Sequence, residues 1–204
     1  MKLTLKLKHA IAAILLMLSF AAPVAAGPYG DAVAAHSRHD YATALWLFRP
    51  LADQCSAMAQ FFLGAMYYEG QGVPQSDAEA AKWFRKAAEQ GEDTSQDALG
   101  SIYFTGGDGI AQNYAEAMKW FRKAADQGNP AAQNSLGMMY EKGHSVPMNF
   151  ILAYMWYSLS ANDPAYKLWA KDQMDKIAQH MAPSQIAEAQ KLAREWSPTK
   201  QPSQ

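Results

Sequence analysis

The sequence predicts an all-α chain built as a solenoid of paired helices. Three observations carry that prediction: a self-repeat of 36 to 37 residues, apolar residues at helical spacing inside each period, and cap residues at the starts and stops that this spacing requires. The string KWFRKAAEQG at 82–91 returns as KWFRKAADQG at 119–128, 37 residues later. Leu63-Gly64 returns as Leu99-Gly100 and Leu136-Gly137, and Tyr67, Tyr103 and Tyr140 each follow three residues after the glycine. Trp-aromatic pairs stand at Trp83-Phe84, Trp120-Phe121 and Trp156-Tyr157. A period of this length belongs to helical repeats, which stack into quasi-one-dimensional arrays.

Each period reads as two helices. In the first, Ala59, Leu63 and Tyr67 recur at i, i+4, i+8 and share one face. In the second, Ala80, Trp83, Phe84, Ala87 and Ala88 form an apolar stripe, with Lys82, Arg85, Lys86 and Glu89 opposite. Ser76-x-x-Glu79 and Asn113-x-x-Glu116 resemble capping boxes, and Asp40 and Asn149 hold the matching place in the outer periods. Gly91 and Gly128 suit the left-handed position after a helix. Asn129-Pro130 and Asp163-Pro164 place a cap before proline at a first helical turn. Gly64, Gly100 and Gly137 lie inside helices, where glycine costs about 1 kcal/mol relative to alanine. The repeated cost predicts close approach by the tryptophan or phenylalanine of the second helix. The loops Gly70–Pro74 and Gly143–Pro147 supply glycine for positive φ and a proline that blocks helix continuation.

The flanks read differently. Residues 1–26 have the form of a signal peptide: Lys2, Lys6 and Lys8, an apolar run over 10–22, and small residues Val24-Ala25-Ala26 before the expected cleavage. The apolar run is shorter than a membrane span needs. Cleavage leaves 15 basic against 19 acidic residues, a mildly acidic chain for which no basic field argues nucleic-acid binding. The single cysteine, Cys55, excludes an intramolecular disulfide and a cysteine-based zinc site; burial is its expected state.

The pattern Ala59, Leu63-Gly64, Tyr67, Gly70, Gly72-Val73-Pro74, Ala80, Trp83-Phe84, Ala87-Ala88 and Gly91, with its two echoes, resembles the Sel-one-like repeat family, relatives of tetratricopeptide repeats. The resemblance implies a right-handed superhelix of stacked antiparallel helix pairs that acts as an adaptor, binding protein along a concave face. It divides the chain into a diverged first repeat at 28–56, repeats at 57–92, 93–129 and 130–162, closing helices at 163–196, and a disordered tail at 197–204. In the diverged repeat Cys55 replaces the terminal glycine. A cysteine-rich branch of the family is associated with β-lactam binding, but one cysteine does not carry that activity over.

Little points to catalysis or a cofactor. His36-x-x-His39 with Asp40 lacks the third ligand of a catalytic zinc, and Asp40 is better employed as a cap. His144 and His180 read as surface. Met138, Met139, Met148 and Met155 read as core filling rather than a copper site. Ser197-x-x-Lys200 lies in a proline-rich tail and lacks the partner motifs of penicillin-interacting enzymes. The basic runs Lys82-Arg85-Lys86 and Lys119-Arg122-Lys123 are interleaved with acids and read as a solvated face.

Function therefore falls to the apolar residues left over on the first helices. Phe61, Tyr68 and Phe104 are the candidate partner contacts; Tyr68 and Phe104 share one repeat position, where the third repeat has Glu141. The expected protein is a non-enzymatic periplasmic or secreted scaffold, without cofactor, that binds a protein or peptide and neither nucleic acid nor membrane. The alternative is a cell-wall-associated binding protein or enzyme, which calls for carboxylates facing each other in a pocket.

Overall fold

A computed structural model describes residues 27–198. The expected signal peptide, and the tail beyond Pro198, lie outside them. Ten helices make up the regular structure of the described residues: α1 (Gly27–Ser37), α2 (Tyr41–Asp53), α3 (Ala57–Glu69), α4 (Asp77–Glu89), α5 (Asp93–Thr105), α6 (Tyr114–Asp126), α7 (Pro130–Lys142), α8 (Phe150–Ser160), α9 (Lys167–Ala178) and α10 (Pro183–Glu195). The chain divides into two compact units at Phe48, within α2.

In the first unit, His39 ends α1 at φ 60 and Asp40 starts α2, its Oδ1 accepting from Thr43 N–H at 3.2 Å. The Thr43 side chain first, and then its backbone N–H, hold the Asp40 carboxyl below its ordinary pKa by hydrogen bonding. His36 and His39 do not converge on a ligand position. His36 meets the Tyr41 ring edge-on, and His39 Nδ1 is hydrogen-bonded to the Tyr41 hydroxyl at 2.7 Å.

The second unit is a stack of helical hairpins. In each of α3–α4, α5–α6 and α7–α8 the two helices pack together, and each second helix packs on the next first helix. Side-chain caps fix the starts: Ser56, Ser76, Glu92, Asn113, Asn129 and Asn149 each accept from a backbone N–H of the first turn. Left-handed residues fix the stops. Gly91 (φ 94) and Gly128 (φ 99) follow α4 and α6, and Cys55 (φ 66) follows α2. The backbone closes alike at all three places, with Ser56, Glu92 and Asn129 N–H donating to the carbonyls of Leu51, Ala87 and Ala124.

Each hairpin is locked by the glycine of its first helix. A Cβ on Gly64 would stand 2.6 Å from Phe84 Cδ1, one on Gly100 2.7 Å from Phe121 Cδ1, and one on Gly137 2.5 Å from Tyr157 Cδ1. The partner is thus the second aromatic of each Trp-aromatic pair. Phe84, Phe121 and Tyr157 are buried accordingly, as are Leu63, Leu99 and Leu136.

The tryptophans sit beside them under cations. Lys86 Nζ lies 3.9 Å from the Trp83 ring centre and Lys123 Nζ 4.3 Å from that of Trp120. Arg85 also lies over Trp120, and Arg122 over Trp156. Trp120 and Trp156 are buried and Trp83 is half-buried. The basic runs therefore do more than solvate the face: their stems and charges cover aromatic surface.

The stack ends on α9 and α10. Ala170, Ile177 and Met181 join Ala153 and Tyr157, while Trp196 meets Trp156 edge-on.

Four expectations need correction. Cys55 is exposed, at the left-handed position (φ 66) that ends α2. Helix α9 starts at Lys167, not after Asp163: Asp163 Oδ1 accepts from Ala165 N–H, and Pro164 sits in the resulting turn. Met139 and Met155 are core, but Met148, in the α7–α8 loop, is exposed. His144 is no free surface residue; it stacks on Tyr114 at 4.3 Å between ring centres.

Candidate functional site

The first helices α3, α5 and α7 stand in a row, and their interior contacts use residues that hydrophobic periodicity does not flag. Gln60, Gln96 and Gln133 share one repeat position and are buried. Their Nε2 groups donate to the carbonyls of Ala52, Ala88 and Ala125 on the preceding second helices, at 3.0, 3.0 and 3.4 Å. Gln90 and Gln127 close the ladder, donating to Gln60 Oε1 at 2.7 Å and Gln96 Oε1 at 2.8 Å. Each Nε2 thus donates across the joint, Gln60 and Gln96 also accept, and the partnership fixes one hairpin's register on the next. The recurring tyrosines serve the same joint. Arg49 donates to the Tyr67 hydroxyl at 3.3 Å and Arg85 donates to that of Tyr103. In the third repeat the arrangement changes: Arg122 pairs with Asp126, and Tyr140 packs into the apolar clusters of α6–α8 and of the closing helices.

The three candidate contacts have different environments. Tyr68 is exposed, at 46 % of its surface. Phe61 is half-buried between Phe62 and Phe84, with ring centres 5.5 and 6.0 Å away. Phe104 is not the free counterpart of Tyr68. It is half-buried against Tyr114, Phe121 and His144, because the α7–α8 loop of the next repeat sets the His144 imidazole against the ring. Glu141, at the same repeat position, accepts from the Tyr157 hydroxyl at 2.7 Å. Burial, then that bond and the Glu141 charge, push the Tyr157 phenol up.

One charged group on this row lacks such a partner. Asp97 Oδ1 is sealed from solvent and accepts no hydrogen bond from the protein. Burial first, and then the Asp93 charge, raise the Asp97 pKa from 3.8 to about 6. Asn134 Oδ1, at the same place in the next repeat, is also sealed and unpartnered. Burial, with the charges of Asp97 and Asp163, likewise raises the Tyr166 phenol. Neither Asp97 nor Asn134 stands out in the sequence, since nothing in their spacing tells a buried acceptor from a surface one.

With this geometry in view, comparison with known proteins is decisive. The family model described as Sel1 repeat matches residues 57–92, 94–129 and 130–163, half of the chain. The chain belongs to the Sel1 repeat family. A Sel1 repeat protein from Oxalobacter formigenes has a similar crystal structure, with 27 % identity and a TM-score of 0.69 over 83 % of this chain and 68 % of that one. The c5321 protective antigen of uropathogenic Escherichia coli strains, displaying an SLR fold, is 23 % identical over 76 % of this chain and 48 % of that one, with a TM-score of 0.35. A search of curated proteins returns no match. The fold is accordingly the right-handed α-solenoid of Sel1 repeat proteins, which generally serve as non-enzymatic scaffolds for protein–protein interaction.

Proposed function

We infer that this Sel1 repeat protein is an exported, non-enzymatic scaffold, periplasmic or secreted, that binds a protein or peptide along its row of first helices. The observation that carries the reading is the unequal use of the two rows. In the three repeats the second helices carry cations over Trp83, Trp120 and Trp156, whereas the first-helix row leaves Tyr68 exposed and Phe61 half-covered. An aromatic amphipathic ring at such a place is a common binding anchor. Export rests on the form of residues 1–26, and no helix among the described residues is long and apolar enough to cross a membrane.

Chemical crosslinking in the native bacterium, followed by fractionation and mass spectrometry, tests the reading. The expected result is a periplasmic or extracellular chain beginning at Gly27, with a reproducible protein adduct that Tyr68→Ala reduces severalfold. An uncleaved chain in the cytoplasm would overturn export, and an adduct indifferent to Tyr68→Ala would remove this ring from the interface. Co-sedimentation with purified cell wall in place of a protein adduct would transfer the function to the cell-wall alternative.

A further inference from the structure

The outward face of the second helices changes character in the first and last periods. On α4 it carries Glu79, Lys82 and Lys86, and on α6 Glu116, Lys119 and Lys123. Counted from the cap Asn149, the matching positions on α8 are Leu152, Met155 and Leu159. Counted from Asp40, those on α2 are Thr43, Trp46 and Pro50. The register holds in both periods, because Phe48 and Tyr157 fall at the place of Phe84 and are buried like it.

On α8 the exchange of charge for hydrocarbon has a visible reason. Met155 and Leu159 are buried, Leu152 is partly buried, and all three belong to one cluster with Leu192, Ala193 and Trp196. Helix α10 packs on α8 and takes this face out of water. On α2 no described residue does the same for Trp46, which is 74 % exposed with Thr43 and Pro50 exposed beside it. An indole carries about 150–250 Å² of largely apolar surface, and leaving it in water forgoes the gain that burial brings. The lysine found at this place in α4 and α6 would avoid that loss.

We propose that the outward face of α2 around Trp46 is a docking site for an amphipathic helix of a partner protein, laid on it as α10 lies on α8. The inference goes beyond the scaffold reading, which concerns the first helices. The face itself defines the occupant. Its three outward positions offer neither lysine nor carboxylate, so an uncharged stripe complements it, with apolar residues at helical spacing. Its size disfavours a second copy of the chain. The 13 residues of α2 span about 20 Å, and one face of that length falls short of the roughly 800 Å² that each partner of a stable dimer buries. A single docked helix needs no more than the face provides, and the central indole supplies the kind of anchor that carries such contacts.

The probe is a fluorescein-labelled peptide of residues 182–198, the α10 stripe of this chain, stapled across its polar face to hold it helical. It is titrated into the full chain lacking its N-terminal 26 residues and followed by anisotropy, with sedimentation equilibrium of the chain alone. Saturable binding is expected, weakened at least about tenfold by Trp46→Lys and absent for a scrambled peptide. Trp46→Lys, which restores the residue type of α4 and α6, is expected to leave the unfolding midpoint in place. Absence of binding, or binding indifferent to Trp46→Lys, would overturn the docking site. A Trp46-dependent dimer would replace the partner helix with a second copy, and a lowered midpoint for Trp46→Lys would show the indole packed within its own fold; either result overturns the proposal. The Tyr68-dependent adduct is unaffected by all of these outcomes.

Discussion

The two rows of helices answer opposite demands, although they alternate in one chain. The second helices α4 and α6 are strongly one-sided: alanines with Phe84 or Phe121 face inward, and lysines and arginines lie over Trp83, half-buried, and Trp120, buried. Their charges close locally, Lys82 on Glu79 and Arg122 on Asp126, in exposed pairs worth little individually. The first helices are less one-sided. They bury glutamine, present glycine to an aromatic ring, and leave Asp97 Oδ1 and Asn134 Oδ1 without a donor. The glycine–aromatic seat joins the two rows.

Breaking the seat should give the largest effect. Phe121→Ala empties a fully buried ring position and is expected to cost about 3–5 kcal/mol in denaturant unfolding. Gly100→Ala drives a methyl against the same ring and is expected to destabilise by about 1–3 kcal/mol, despite alanine's better helix propensity. Because the added methyl has room only when the ring is gone, the double variant should be more stable than the sum of the two losses implies. Strict additivity would show that the ring does not rest on Gly100.

A smaller effect of opposite sign belongs to the first row. The unfolded chain ionises Asp97 near its ordinary pKa of 3.8 and the folded chain near 6. Between those values the folded state holds the extra proton, so stability falls as pH rises through the interval and the penalty is complete above it. Asp97→Asn should therefore raise stability at pH 7.5 by roughly 2 kcal/mol, the gain vanishing near pH 4. Thermal unfolding at the two pH values measures both; a variant destabilised at pH 7.5 would show that the ionised carboxylate has a partner in the fold.

The sequence disclosed the second row more fully than the first. Ser76, Asn113 and Asn149 act through neighbours three residues away, and Gly91 and Gly128 through their own φ, so local spacing was sufficient. The glycine seats were visible as a repeated local cost, though not which aromatic filled them. Gln60, Gln96 and Gln133 were missed because a polar residue becomes interior only when distant carbonyls and amides meet it. Phe104 looked like Tyr68 by position, yet the loop of the following repeat covers it. Cys55 was expected inside on residue type, and its left-handed backbone outweighed that preference. Asp97 carried no linear mark, since whether a donor meets its buried oxygen depends on neighbours brought near only by packing.

Photocrosslinking from single positions in the native organism tests the division between the rows most directly. A benzophenone side chain placed at Tyr68 or Ser101, on the first helices, should trap one and the same protein, whereas placement at Lys82 or Lys119, on the second helices, should trap none. Adducts arising from Lys82 and Lys119, with Tyr68 and Ser101 silent, would place recognition on the row assigned here to stability.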